Sequence, residues 1–190
     1  MMRRTEDTTQ QPFLSSVTRI TDFDRNPFET RVLPRQDWAT GDYVVGRVTG
    51  RPSVLYAVEQ PNGRMMRVLE GDLVVGALGD RAATLECVGE WNAIGSDGVF
   101  QAMTTAGLFG RATSTSLLLP ALMTLTYVGH VVRDGRHLRM ADFVTAVPEG
   151  DLDVPVVLLV GTSMSAGKTT TGRLIIHELK KSGLRIVGAK

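Results

Sequence analysis

The sequence has one cysteine, Cys87, among 190 residues. No disulfide can form within the chain, so nothing in it calls for an oxidising compartment. Cys87 sits in an apolar, strand-like run, where a free thiol is more often buried than reactive. An excess of charge is also missing: 21 Lys and Arg stand against 20 Asp and Glu. That balance leaves no electrostatic footprint for DNA or RNA and none for an anionic membrane surface. Arg111, Arg133, Arg136 and Arg139 read as a solvated face, because no aromatic residues interleave with them to stack on bases. Long hydrophobic runs are lacking too. The greasiest stretch, 117–128, is broken by Pro120 and is too short for a bilayer. Met1-Met2-Arg3-Arg4 has the charge of a signal-peptide start, but polar residues 5–10 follow where an apolar region would be needed. These features predict a cytoplasmic protein that neither spans a membrane nor binds nucleic acid. A hydrophobic content of 43% and a charged content of 22% are ordinary for a globular chain.

Long segments of helical period are absent from the first three quarters of the sequence. Residues 1–12 are polar and unpatterned, and are expected to be disordered. From Asp42 the texture is β. Tyr43–Val48 is short and β-branched, and 54–58 and 65–69 flank Pro61-Asn62-Gly63 as a hairpin. Further strands are expected at 72–78, 83–88, 99–103, 127–132 and 137–140, the last two joined by the tight-turn pair Asp134-Gly135. Thr113-Ser114-Thr115 could cap a short helix limited by Pro120. Strands recurring every eight to twelve residues predict a small antiparallel barrel or sandwich over 13–147. Trp38 and Trp91 are expected in its core or at its ends. His130 and His137 flank the Asp134-Gly135 turn and could face each other, which is too little for a metal site.

Residues 148–155 are polar and rich in breakers, and read as a linker. The texture then changes. Val156–Val160 is a continuous apolar run, as in a strand buried on both faces. A glycine-serine loop follows, then a helix from Lys168 to Lys181 with Leu174, Ile175 and Leu179 inward, and a second apolar run, Leu184–Ala189. The fold expected is therefore multidomain: a mainly-β barrel or sandwich, then the β-α-β start of an α/β P-loop NTPase domain over 156–190.

The loop is Gly161-Thr162-Ser163-Met164-Ser165-Ala166-Gly167-Lys168-Thr169-Thr170. Strand, Gly-Lys-Thr and helix stand in the order a phosphate-binding P-loop requires. The residue types suit that chemistry. Backbone N–H groups curl round a phosphate, and Gly167 lets the backbone come close. The helix N-terminus adds partial positive charge. Lys168 should reach the β- and γ-phosphates, and the Thr169 hydroxyl should ligate magnesium. The common motif has four residues between its first glycine and Gly-Lys. Here five separate Gly161 from Gly167, and Thr162 takes the usual glycine position.

Gly161-Thr162, Gly167-Lys168-Thr169-Thr170, Ser182-Gly183-Leu184-Arg185-Ile186 and a lysine at the end of the second run together resemble dethiobiotin synthetase. More broadly they resemble the SIMIBI class of P-loop proteins, which includes the adaptor of molybdopterin guanine dinucleotide synthesis and cobyric-acid-synthase-like amidases. The likeness covers residues 155–190 and accounts for the longer loop. It implies ATP binding by Gly167, Lys168 and Thr169, with magnesium. It also implies that Lys190 contacts substrate and phosphate. Ser163 stands where the synthetase carries an acidic residue.

No later acidic strand end, adenine-reading loop or water-orienting residue appears, all of which phosphoryl transfer needs. A unit of this size cannot bury both faces of a parallel sheet. The expectation is a portion of a longer NTPase, or a sheet completed by another chain, such as a second copy in a homo-oligomer. Two functions follow: an ATP-dependent enzyme of ligase, amidase or phosphoryl-transfer type whose β domain binds substrate or a partner, or a nucleotide-switched binding module.

Overall fold

The computed structural model describes residues 10–50, 56–83, 85–146, 150, 153–162 and 166–189. The chain divides into two compact units, Met1–Ala146 and Val147–Lys190. In the first, strands follow in the order β1 (Phe13–Leu14), β2 (Glu29–Arg31), β3 (Tyr43–Thr49), β4 (Ala57–Glu59), β5 (Met65–Arg67), β6 (Leu73–Leu78), β7 (Arg81–Ala83), β8 (Cys87–Glu90), β9 (Val99–Ala102), β10 (Leu108–Thr115), β11 (Met123–Arg133) and β12 (Arg136–His137). The ladder β6-β3-β11-β9-β10 returns to β6, so five strands close a barrel. Four of the five seams are antiparallel. The closing seam is parallel, with Leu108 opposite Ala77 and Phe109 opposite Leu78. Closure removes the exposed edges that an open sheet of these strands would present.

Alternation along the strands builds the interior. Val44 and Val48 of β3, Val74 and Leu78 of β6, Phe100 and Ala102 of β9, Phe109 of β10, and Met123 and Leu125 of β11 form one buried cluster. The ring centroids of Phe100 and Phe109 lie 5.2 Å apart. Two glycines make room for them. A Cβ at Gly46 would lie 2.8 Å from Phe100 and 2.9 Å from Leu125. One at Gly76 would lie 2.4 Å from the Gly107 carbonyl oxygen and 2.5 Å from Phe109. The outer face of the same strands is covered as well. Tyr43, Val45, Leu73, Val75, Ala77 and Val131 form a second cluster with Phe23 from the N-terminal segment and Leu138 from beyond β12.

Several sequence expectations are corrected. The barrel is mixed rather than antiparallel, because β1 and β10 both join β6 in parallel. Thr113-Ser114-Thr115 caps no helix. These residues end β10, paired with β8 across a register shift. The run 83–88 is not one strand but the turn between β7 and β8, whose register brings Ala83 opposite Cys87.

The largest correction concerns the second unit. Its one helix, α1 (Lys168–Lys181), is the only α-helix among the described residues. The runs 156–160 and 184–189 form no strand. The described protein is therefore a mainly-β, mixed-sheet fold with one C-terminal helix, and the β-α-β start of an α/β domain is not formed. The physical reason is coverage. Both runs meet α1: a Cβ at Gly172 would lie 3.2 Å from Leu159, and one at Gly188 would lie 3.0 Å from Ile176. One helix shields one side, so Val156, Val157, Leu158, Val160 and Val187 stay exposed, and no ladder partner takes up the backbone groups. The half-buried face of α1 is Gly172, Ile175, Ile176 and Leu179. Leu174, expected inward, is exposed.

Candidate functional site

Helix α1 begins where its sequence allows no other residue to begin it so cheaply. Gly167 is its N-cap, left-handed at φ 83° and ψ 4°, a conformation costly for residues with a Cβ. The Thr171 N–H then donates to the Gly167 carbonyl at 2.9 Å and opens the helical ladder. Gly167 has no side chain with which to cap the first turn, whose N–H groups carry the partial positive charge of a helix start.

Lys168 opens the helix and is half-buried. Its side chain folds back over the start of the loop. A Cβ on Gly161 would stand 2.9 Å from Lys168 Cγ and Cδ and 3.1 Å from Nζ. Gly161, Lys168 and the helix start are thus brought together, although five residues separate the two loop glycines. Thr162, Ala166, Thr169 and Thr170 are exposed, the two threonines on the first turn beside Lys168. Ser163, Met164, Ser165 and Lys190, also expected in the site, lie outside the described residues. The arrangement can gather a multiply charged anion: an ammonium group, a helix N-terminus and adjacent hydroxyls converge without an acidic side chain among the described residues of the loop. Among the described residues no group of three or more His, Cys, Asp or Glu could hold a metal ion. Magnesium held here would therefore rest on the Thr169 hydroxyl and on the oxygens of the bound anion.

A second cluster, which the sequence did not announce, lies in the first unit. Asp42, immediately before β3, and His130, on β11, have no solvent exposure. Asp42 Oδ2 accepts from the Ala39 N–H at 2.7 Å and meets His130 Nε2 at 3.1 Å. Its Oδ1 accepts from Arg139 Nε at 2.7 Å. His130 Nδ1 lies 2.6 Å from the Tyr127 hydroxyl, which accepts from the Leu33 N–H at 3.2 Å. Burial pushes the Asp42 carboxyl up, but the hydrogen bonds of His130 and Ala39 and the charges of His130 and Arg139 outweigh it, leaving a net lowering. Burial drives the Tyr127 hydroxyl up to about 12. Tyr127 and His130 are three apart, which in a regular strand puts them on opposite faces. A register shift between Tyr127 and Gly129 turns both to one side. Nothing in the sequence announces that bulge except Gly129 itself. His130 and His137 do face each other, with ring centroids 6.0 Å apart.

The four arginines read as a solvated face are each paired with an acid: Arg111 with Asp97, Arg133 with Asp22, Arg136 with Asp142 and Arg139 with Asp42. Arg133 also lies over the Phe23 ring at 5.9 Å, and the Arg35 guanidinium stands 4.6 Å from the Trp38 ring and 4.8 Å from that of Trp91. Among the described residues no helix is long and apolar enough to cross a membrane. Compared with known proteins, the chain matches no family model, no curated protein and no solved structure.

Proposed function

We propose that the segment 161–170 binds the phosphates of ATP together with magnesium. One observation carries the reading: Lys168, at the first turn of α1, folds over Gly161 and so closes the two ends of the loop on each other. A lysine held there is placed to leave its seat for a β- or γ-phosphate, while the first-turn N–H groups donate to the same anion. Thr169 offers the hydroxyl that magnesium prefers. Gly161, Thr162, Ala166, Gly167 and Thr170 supply backbone or hydroxyl donors around it, with Ser163, Met164 and Ser165 completing the loop in sequence.

The wider reading is an ATP-dependent enzyme of ligase, amidase or phosphoryl-transfer type, with the β unit binding its substrate or a partner and Lys190 meeting the acceptor. Support for it is the likeness of the loop and its flanks to dethiobiotin synthetase and the SIMIBI class. A cytoplasmic site of action suits it, since ATP and magnesium are supplied there and a lone Cys87 needs no oxidant.

The test is calorimetric titration of Mg-ATP into the chain and into Lys168→Ala. The expected result is binding to the wild type and a loss of at least about tenfold in the variant, the scale of a lost charge-assisted contact. A wild type that gives no binding heat and no shift in thermal stability at millimolar Mg-ATP refutes the assignment.

A further inference from the structure

The cluster at Asp42, His130 and Tyr127 has only one consistent set of protons. The Tyr127 oxygen already accepts from the Leu33 N–H. Its single hydroxyl proton is therefore free to donate only toward His130 Nδ1, at 2.6 Å. Nδ1 must then be bare, and the imidazole proton sits on Nε2, where it donates to Asp42 Oδ2 at 3.1 Å. Beside it, the Asp42 carboxylate also meets Arg139, whose Nε donates to Oδ1 at 2.7 Å from a side chain 40% exposed.

The groups facing His130 come from every element around it. Tyr127 lies on its own strand. Asp42 and the Ala39 N–H come from the turn before β3, His137 from β12 and Arg139 from just after it. His137 Nε2 stands 3.9 Å from Asp42 Oδ1 and is partly exposed. Arg31 is opposite His130 in the β2–β11 register but points its charge to Glu29, at 3.6 Å. Trp38 covers the assembly, with its ring centroid 4.3 Å from that of Tyr127 and 5.2 Å from that of His130.

We propose that His130 is a buried proton sensor that holds or releases the Leu33–Trp38 segment at one end of the barrel. A proton taken from solvent onto Nδ1 turns that nitrogen into a donor. The Tyr127 oxygen then faces two N–H donors, Leu33 and His130, and its own proton has no acceptor. That mismatch is relieved by moving Tyr127 away from Leu33. Trp38 moves with them, because its indole N–H donates to the Leu33 carbonyl at 3.1 Å and its ring leans on Tyr127. Free histidine is the side chain that changes charge between about pH 5 and 8, which sets the range over which the proposal is tested.

The experiment is amide exchange on the full chain at pH 7.5 and pH 5.0, corrected for the intrinsic exchange rate, with Trp fluorescence alongside. Protection of the Leu33 amide should fall at least about tenfold at pH 5.0, the scale of one buried hydrogen bond, while barrel amides such as Val75 and Leu125 keep theirs. Tyr127→Phe removes the acceptor, so Leu33 should be weakly protected at both pH values with no pH response. His137→Gln should leave the response intact. Nitrogen-15 shifts of the His130 ring should report the Nε2–H neutral tautomer at pH 7.5. Equal Leu33 protection at both pH values, a response abolished by His137→Gln, or a doubly protonated His130 ring at pH 7.5 would each overturn the proposal.

Discussion

Gly76→Ala tests the parallel seam that closes the barrel. Gly76 lies in β6, facing the interior between Val74 and Leu78. Its backbone is not left-handed, so alanine is conformationally permitted. Through the unfolded state alone the change would stabilise by about 0.4–1 kcal/mol. Packing opposes it. The new Cβ would meet the Gly107 carbonyl oxygen at 2.4 Å and two Phe109 ring carbons at 2.5 Å, about 1 Å inside ordinary contact. The Phe109 ring can tilt. The Gly107 carbonyl cannot yield freely, because it accepts the Ala77 N–H at 2.9 Å across that seam. Overpacking costs about 1–3 kcal/mol where side chains can adjust and more where backbone must move, so the net loss should be about 2–3 kcal/mol. Gly46→Ala is the internal control. Its Cβ meets only side chains, Phe100 at 2.8 Å and Leu125 at 2.9 Å, and the loss should be about 1 kcal/mol. Adding Phe109→Leu to Gly76→Ala should restore part of the loss but not all, since the carbonyl clash remains. Urea unfolding followed by circular dichroism gives the three midpoints. A Gly76→Ala protein within about 0.5 kcal/mol of wild type, or one less affected than Gly46→Ala, would show that β6 and β10 do not meet as described.

Asp42→Asn should cost about 1–3 kcal/mol, because it weakens the hydrogen bonds that the buried carboxylate accepts from Ala39, His130 and Arg139, while Arg139 itself is 40% exposed and can turn to solvent. The Asp42 carboxyl is lowered from 3.8, so its stabilisation is complete above that value and is lost as pH falls through the lower folded value. Urea midpoints of the wild type should drop below about pH 4, and a wild type no more acid-sensitive than the variant would refute this. Tyr43 and Tyr127 are raised to about 12 by burial. Their contribution is complete below the ordinary tyrosine value near 10 and lost as pH rises to about 12. Absorbance titration at 295 nm should show neither ionising in the folded protein at pH 10, and full ionisation there with native circular dichroism would contradict their burial. In hydrogen exchange, amides of 156–160 and 184–189 should exchange with little protection while those of β3 and β11 exchange slowly, because only the latter donate within a ladder. Slow exchange throughout 156–160 would show a strand partner.

The barrel was legible in the sequence where turn residues punctuate its short strands. The hairpin of β4 and β5 falls around Pro61-Asn62-Gly63, and β11 and β12 turn at Asp134-Gly135, as the turn residues dictate. What stayed hidden depended on contacts far apart in sequence. Parallel pairing of β6 with β10 joins residues 77 and 108, and no local residue signals it, since a strand carries the same alternation in either direction. Thr113–Thr115 look like cap residues by type, yet β8 recruits them as strand. Asp42 and His130 are 88 positions apart, and only the bulge at Tyr127–Gly129 turns the histidine toward the carboxylate.

The start of α1 in the second unit was readable for the opposite reason: its cause is local. Gly167, Lys168 and Thr169 are neighbours, and the left-handed N-cap and the helix behind it follow from them directly. The flanking apolar runs misled because hydrophobicity reports a wish to be buried and not a partner to bury against. Val156–Val160 has the composition of a central strand, and α1 covers only the Leu159 side of it. The spacing of the loop is likewise decided by packing. Counted along the chain, Thr162 holds the place of the usual first glycine. In space, Gly161 is the residue that lies under Lys168, 2.9 Å from its side-chain carbons were a Cβ present. Its backbone is not left-handed, so what demands glycine there is the lysine above it, and the extra loop residue shifts that demand by one position without removing it.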